Sequence, residues 1–61
     1  MSQLTNREEQ VLNLIFDDFS TKEISSKLGL TDNTVNTYRK RIIEKLNVKS
    51  MFGAYKKYIN K

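Results

Sequence analysis

TKEISSKLGLTDNTVNTY, residues 21–38, is the stretch whose spacing decides the fold. Counted from Thr21, apolar side chains fall at the fourth, eighth, tenth and fifteenth places (Ile24, Leu28, Leu30, Val35), with Ser25 fifth and Gly29 ninth. The four apolar residues suit the wedge between two short helices. Ser25 is small enough for the second helix to approach, and Gly29 can take the positive φ that the tight turn requires. The spacing is that of a helix-turn-helix with its turn at Gly29, and it implies a chain that binds duplex DNA.

Composition agrees. Sixty-one residues make one small domain, residues 1–61, with room for a single modest core. The chain has no Cys, His or Trp, which removes disulfides, thiolate or imidazole metal ligation and the commonest general base. No nucleophile, base and orienting group can be assembled from what remains, so the expectation is a non-enzyme with no cofactor, no metal and no small-molecule ligand. The longest apolar run is Leu14, Ile15 and Phe16, far short of the roughly 18 residues that span a bilayer. With no signal-peptide pattern after Met1, a cytoplasmic protein without a membrane partner is expected.

The net charge of +4 is unevenly spread: residues 1–30 carry −2 and residues 31–61 carry +6. The positive half begins where the second helix of the motif begins. A lysine-decorated helical bundle would show the same asymmetry, and the turn spacing is what favours DNA.

Outward from the motif, the pattern predicts an all-α fold of four short helices around the central helix-turn-helix, at about 5–17, 20–28, 31–46 and 50–59. Thr5 with Glu8 and Ser20 with Glu23 have capping-box spacing, and Thr31 and Ser50 are further cap candidates. Leu4 is placed as a staple. Val11, Leu12, Ile15, Phe16 and Phe19 form one apolar stripe. Asp17 and Asp18 put negative charge at a helix C-terminus, where a frayed end is expected. Gly29 and Asn47 suit left-handed stops. The last helix reads as amphipathic through Met51, Ala54, Tyr55, Tyr58 and Ile59, with Lys56, Lys57 and Lys61 outward and Gly53 weakening its first turn.

At about 100° per residue from Val35, Ile42 (about 340°) and Leu46 (about 20°) share the buried side of the third helix. Asn36, Lys40, Asn33, Thr37 and Arg41 fall between about 100° and 240°, all polar. Lys can donate to guanine O6 or N7, Asn can pair with adenine, and a Thr methyl can touch thymine, so Asn36, Thr37 and Lys40 are assigned to base readout. Backbone contacts are expected from Ser20, Thr21, Lys22, Thr34, Tyr38, Arg41 and Lys45, with Lys49 beyond. A Glu44 carboxylate deep in the groove would repel phosphate unless it accepts from a cytosine amine or pairs with Lys40 or Arg41, so Glu44 is expected at the groove mouth. Arg39, at about 40°, needs a carboxylate, with Glu8 or Glu9 as candidates.

With these residues in place, the chain resembles the DNA-binding domain of the LuxR/FixJ/NarL (GerE-like) class of bacterial transcription regulators over residues 4–59. LTNREEQVLNLI answers the opening L-T-x-R-E-x-x-V-L, and FSTKEISSKLGLTDNTVNTYRKRIIEKLNV the run from S-x-K-E-I to I-x-x-K-L-x-V. The resemblance implies a helix-turn-helix without a wing and a third helix in the major groove. It implies base contacts at Asn36, Thr37 and Lys40, and backbone contacts at Lys22, Thr34, Tyr38 and Lys45. It also implies a weak homodimer through the fourth helix, whose candidate dimer or partner surface is Met51, Phe52 and Tyr55.

Four departures stand out: Asn36 where many members have Lys, Tyr38 where His is usual, Asp18 for the usual Gly, and Met51–Phe52–Gly53 opening the fourth helix. Asp18 is expected to need a different cap. Most relatives carry this domain behind a receiver or ligand-binding domain, so a standalone regulator and an excised response-regulator effector domain are both expected forms. The competing function is a protein-interaction module docking on RNA polymerase or a partner regulator; a sigma-factor-like reading head ranks below it.

Overall fold

Each of the first three helices starts on a side-chain cap and ends on a left-handed residue, which fixes where the chain turns. The computed structural model describes residues 4–59, arranged as α1 (Asn6–Phe16), α2 (Thr21–Leu28), α3 (Asp32–Leu46) and α4 (Met51–Ile59). Lys61, expected on an outward face, lies outside them. The Thr5 side chain accepts from the Glu8 N–H at 3.2 Å while the Thr5 N–H donates to Glu8 Oε1 at 2.9 Å. Ser20 and Glu23 repeat this reciprocal box at 3.1 and 2.8 Å. Thr31 accepts from the Thr34 N–H, and Ser50 from the Gly53 N–H at 3.4 Å. Orphan N–H groups at four helix starts thereby gain partners.

The stops are equally local. Asp18 (φ 70°), Gly29 (φ 69°) and Asn47 (φ 56°) are all left-handed. After each, an N–H reaches back to a carbonyl five residues earlier: Phe19 to Leu14 at 3.0 Å, Leu30 to Ser25 at 2.8 Å, Val48 to Ile43 at 3.2 Å. These are Schellman-type closures. The end of α1 is therefore closed rather than frayed, and Asp18 makes the left-handed turn itself instead of using a different cap. A short polar side chain tolerates this region better than most, though less well than glycine.

The core is Val11 and Leu12 of α1, Ile24 of α2, Val35 and Ile42 of α3 and Ala54 of α4, each at most 1% exposed. Burying each of the larger side chains contributes about 1.5–3 kcal/mol. Leu4, Leu28, Leu30, Tyr38, Leu46, Val48, Met51 and Tyr58 pack around them half-buried. The ring of Phe16 meets Tyr55 edge-on at 4.9 Å and Tyr58 at 5.4 Å, joining α1 to α4. Gly53, which costs helix propensity, lies against the interhelical loop: a Cβ there would stand 3.1 Å from the Cβ of Val48. The residue exchanges propensity for close approach.

Two of the polar ties between helices are made by lysines. Glu8 is 2% exposed, and Lys45 of α3 donates to its Oε1 at 2.8 Å. Burial raises the Glu8 pKa, but the Lys45 hydrogen bond, the Thr5 N–H, the Lys45 charge and the Thr5 hydroxyl together outweigh it and hold the carboxyl below its ordinary value of 4.5. In the second tie, Lys57 of α4 donates to the Leu46 carbonyl at 2.7 Å, giving the C-terminus of α3 a cationic partner. Lys57 thus reaches across to α3 while remaining exposed.

Two outcomes are expected in chemical denaturation. Asp18→Gly should stabilise the fold by about 1 kcal/mol, because it relieves the left-handed conformation and removes an anion from a helix C-terminus. Glu8→Gln should cost about 1–2 kcal/mol at neutral pH, since Lys45 is 39% exposed and partly screened by solvent. A carboxyl whose folded pKa is lowered contributes stability that is complete above its unfolded value and vanishes as pH falls through its folded value. The gap between wild type and Glu8→Gln should therefore close as pH falls below about 4.5.

Candidate nucleic-acid interface

The face of α3 turned from the core is built by elimination. Val35 and Ile42 are fully buried and Leu46 half-buried, so the opposite side, with Asn33, Asn36, Thr37, Lys40, Arg41 and Glu44, is exposed. The α2–turn–α3 unit that presents it depends on a tie invisible in the apolar pattern. Ser25 is 6% exposed, and its hydroxyl hydrogen lies between the Lys22 carbonyl at 2.8 Å and Asp32 Oδ1 at 2.6 Å. Asp32 opens α3, so the carboxylate serves the helix N-terminus and anchors it to α2. The signal was a small hydroxyl in the middle of α2, followed seven residues on by an acid.

The three residues assigned to bases differ in what they have left to offer. Asn36 and Lys40 are exposed and make no side-chain hydrogen bond or ion pair within the described residues. Thr37 is exposed, but its hydroxyl donates to the Asn33 carbonyl at 3.0 Å.

The residues assigned to the backbone fall into distinct surroundings. Lys22 is exposed; Thr21 is half-buried at the start of α2, and the Ser20 hydroxyl is occupied with its capping box. Thr34, Thr37, Tyr38 and Arg41 line a shallow hollow of about 150 Å³. Tyr38 and Arg41 also border an open cleft of about 420 Å³ with Thr5, Glu8, Glu44 and Lys45. Neither is the enclosed, mostly apolar cavity that small ligands favour.

Lys45 donates its ammonium to Glu8, making it a tie between α1 and α3. The same pairing corrects the reading of Arg39, which is half-buried and forms no ion pair with Glu8 or Glu9. Glu44 is exposed on the cleft beside Arg41 and forms no ion pair with Lys40 or Arg41 among the described residues.

On α4 the expected partner surface divides. Met51 is half-buried against the core, whereas Phe52 is 73% exposed with the Lys56 ammonium 5.7 Å from its ring centre. Tyr55 is 43% exposed despite its contact with Phe16, and Ile59, expected on the packed side, is 59% exposed. Among the described residues the exposed large apolar side chains are thus Phe52, Tyr55 and Ile59. Among the described residues no helix is long and apolar enough to cross a membrane, and no cluster of three or more acidic, His or Cys side chains could hold a metal ion.

Comparison with known proteins converges on this same architecture. Residues 2–57 match the family described as bacterial regulatory proteins, luxR family. The chain is 49% identical over 49 residues to the uncharacterised response regulatory protein YgeK of Escherichia coli K12, covering 80% of this chain and 33% of that protein. It is 45% identical over 51 residues to the transcriptional regulatory protein DesR of Bacillus subtilis 168, covering 84% and 26%. It is 41% identical over 51 residues to BvgA of Bordetella pertussis Tohama I, described as a positive transcription regulator of virulence factors, covering 84% and 24%. The chain therefore spans a quarter to a third of the length of these relatives. Four capped helices, a Gly29 turn and a family match over nearly the whole sequence together make this chain a member of the luxR family of bacterial regulatory proteins.

Proposed function

We propose that this chain binds double-stranded DNA sequence-specifically in bacterial transcription regulation, with α3 in the major groove. The observation that carries the reading is the division of α3 between a buried apolar side and an exposed side bearing Asn36, Thr37, Lys40 and Arg41. An α-helix fits the major groove, and these side chains offer donors, acceptors and positive charge to base edges and phosphates. Asn36, Thr37 and Lys40 read bases. Lys22, Thr34, Tyr38 and Arg41, with the Ser20–Thr21 start of α2, hold the backbone. Lys45, engaged by Glu8, acts by holding α3 in place. Two named regulators of transcription among the relatives support this reading. The reaction is binding, without an enzymatic step, and its setting is the bacterial cytoplasm.

A second role is favoured by a separate observation, the exposure of Phe52, Tyr55 and Ile59 along α4. This apolar strip suits a weak homodimer, which would pair two reading helices on half-sites one helical turn apart. The same strip is where RNA polymerase or a partner regulator would dock if the fold works as an interaction module.

Fluorescence anisotropy with a selected duplex and a random one, at two salt concentrations, separates these readings. Salt-sensitive binding at least ~10³-fold tighter to the selected site is expected; equal, weak binding to both would refute sequence reading. Lys40→Ala should cost about 1–3 kcal/mol on the selected site and relax preference at one base pair, while Lys22→Ala should weaken all duplexes alike and reduce the salt slope by about one unit. Sedimentation should show mass rising towards a dimer at high micromolar concentration, and Phe52→Glu should hold the chain monomeric with Asn36, Thr37 and Lys40 untouched.

A further inference from the structure

Three side chains on the exposed face of α3 are assigned to bases, and their hydrogen-bonding states differ. The Asn36 amide and Lys40 ammonium are unengaged, so each retains its donors. Thr37 has one hydroxyl hydrogen, and it is given to the Asn33 carbonyl at 3.0 Å. A hydroxyl so engaged cannot donate to guanine O6 or N7, adenine N7 or thymine O4 without breaking a bond inside its own helix. What Thr37 offers a base edge is its methyl group and the two lone pairs of its oxygen.

We infer that Thr37 is a specificity-determining residue that reads the C5-methyl group of a pyrimidine in the major groove. The inference rests on the proposed major-groove reading and names the chemistry of one step in the site. Two features of a T·A pair suit it: the thymine methyl is the apolar feature of the major-groove edge, and the adenine N6 amine can donate to a Thr37 lone pair. Guanine, whose major-groove edge has only acceptors, offers nothing to a spent donor. Neighbouring residues limit where this step lies. Thr37 sits one residue from Asn36 and three from Lys40, about 1.5 and 4.5 Å along the helix axis, so the methyl-bearing base falls within about one or two base pairs of those they read. A cytosine carrying a 5-methyl group presents the same apolar atom at the same place, so the site responds to cytosine methylation as well as to thymine.

The test uses the whole chain and a duplex selected for tight binding, with each thymine replaced in turn by deoxyuridine, which removes the methyl group alone. One position is expected to lose affinity about three- to fivefold, the effect of one buried methyl group. At that position cytosine should bind more weakly than thymine, and 5-methylcytosine should recover part of the loss. Thr37→Val keeps the methyl and discards the hydroxyl; it should preserve the thymine-over-uracil preference. Thr37→Ser keeps the hydroxyl and discards the methyl; it should bind thymine and uracil duplexes alike. Thr37 is exposed, so both variants should keep the wild-type helical circular dichroism.

If no thymine is sensitive, if 5-methylation of the cytosine gives no gain, or if Thr37→Ser retains the discrimination while Thr37→Val loses it, the Thr37 assignment is overturned although wild-type binding to the selected site still supports major-groove reading. If the wild-type chain binds selected and random duplexes equally, both readings fall together.

Discussion

A carboxylate that is almost wholly buried must be surrounded by donors, and Glu8 is the point at which this small fold meets that demand. Its Oε1 accepts the Thr5 N–H and the Lys45 ammonium, at 2.9 and 2.8 Å. One bond completes the start of α1 and the other holds the C-terminal half of α3 against it. A helix held at Lys45 and buried at Val35 and Ile42 has little freedom to roll about its axis. The face carrying Asn36, Thr37 and Lys40 is therefore set from inside the protein. Breaking one partner would leave the other poorly satisfied, so a pair of modest net strength can still fix orientation.

The two remaining ties extend the same logic to the ends of α3. At the N-terminus, Ser25 holds the Asp32 carboxylate to α2; at the C-terminus, Lys57 of α4 donates to the Leu46 carbonyl. Each places charge of the sign that the helix dipole favours. α3 is thus tied at its start, near its end and at its last carbonyl, to three different helices. A single modest core holds α3 by its apolar side, and these polar ties supplement it.

Helix boundaries and the turn were legible because their signals are local. Thr5–Glu8 and Ser20–Glu23 are three-residue spacings, and Gly29 and Asn47 announce left-handed stops. Asp18 was misread because its charge argued for fraying, whereas the backbone closure into Leu14 and Ile15 decided the outcome. Helical phase identified the buried and open sides of α3, but phase cannot choose a partner across the fold. Arg39 looked closer to the acidic start of α1, yet Lys45 occupies Glu8. The partition of α4 failed for the same reason: Met51 turns to the core and Ile59 to solvent according to where α4 crosses α1 and α3, which no periodicity within nine residues specifies.

Long-range ties and short-range spending of hydrogen bonds therefore act on different features of the interface. Glu8–Lys45, Ser25–Asp32 and Lys57–Leu46 determine which residues of α3 look outward. The bond from Thr37 to Asn33 determines what one of those residues can still say to a base. Two side chains on the same exposed face, one residue apart, consequently differ in kind: Asn36 keeps both donor and acceptor, whereas Thr37 keeps only an acceptor and a methyl. Residue type already distinguishes an amide from a hydroxyl with a methyl, and it is the internal bond that withdraws the hydroxyl hydrogen and leaves the methyl as the main feature Thr37 presents.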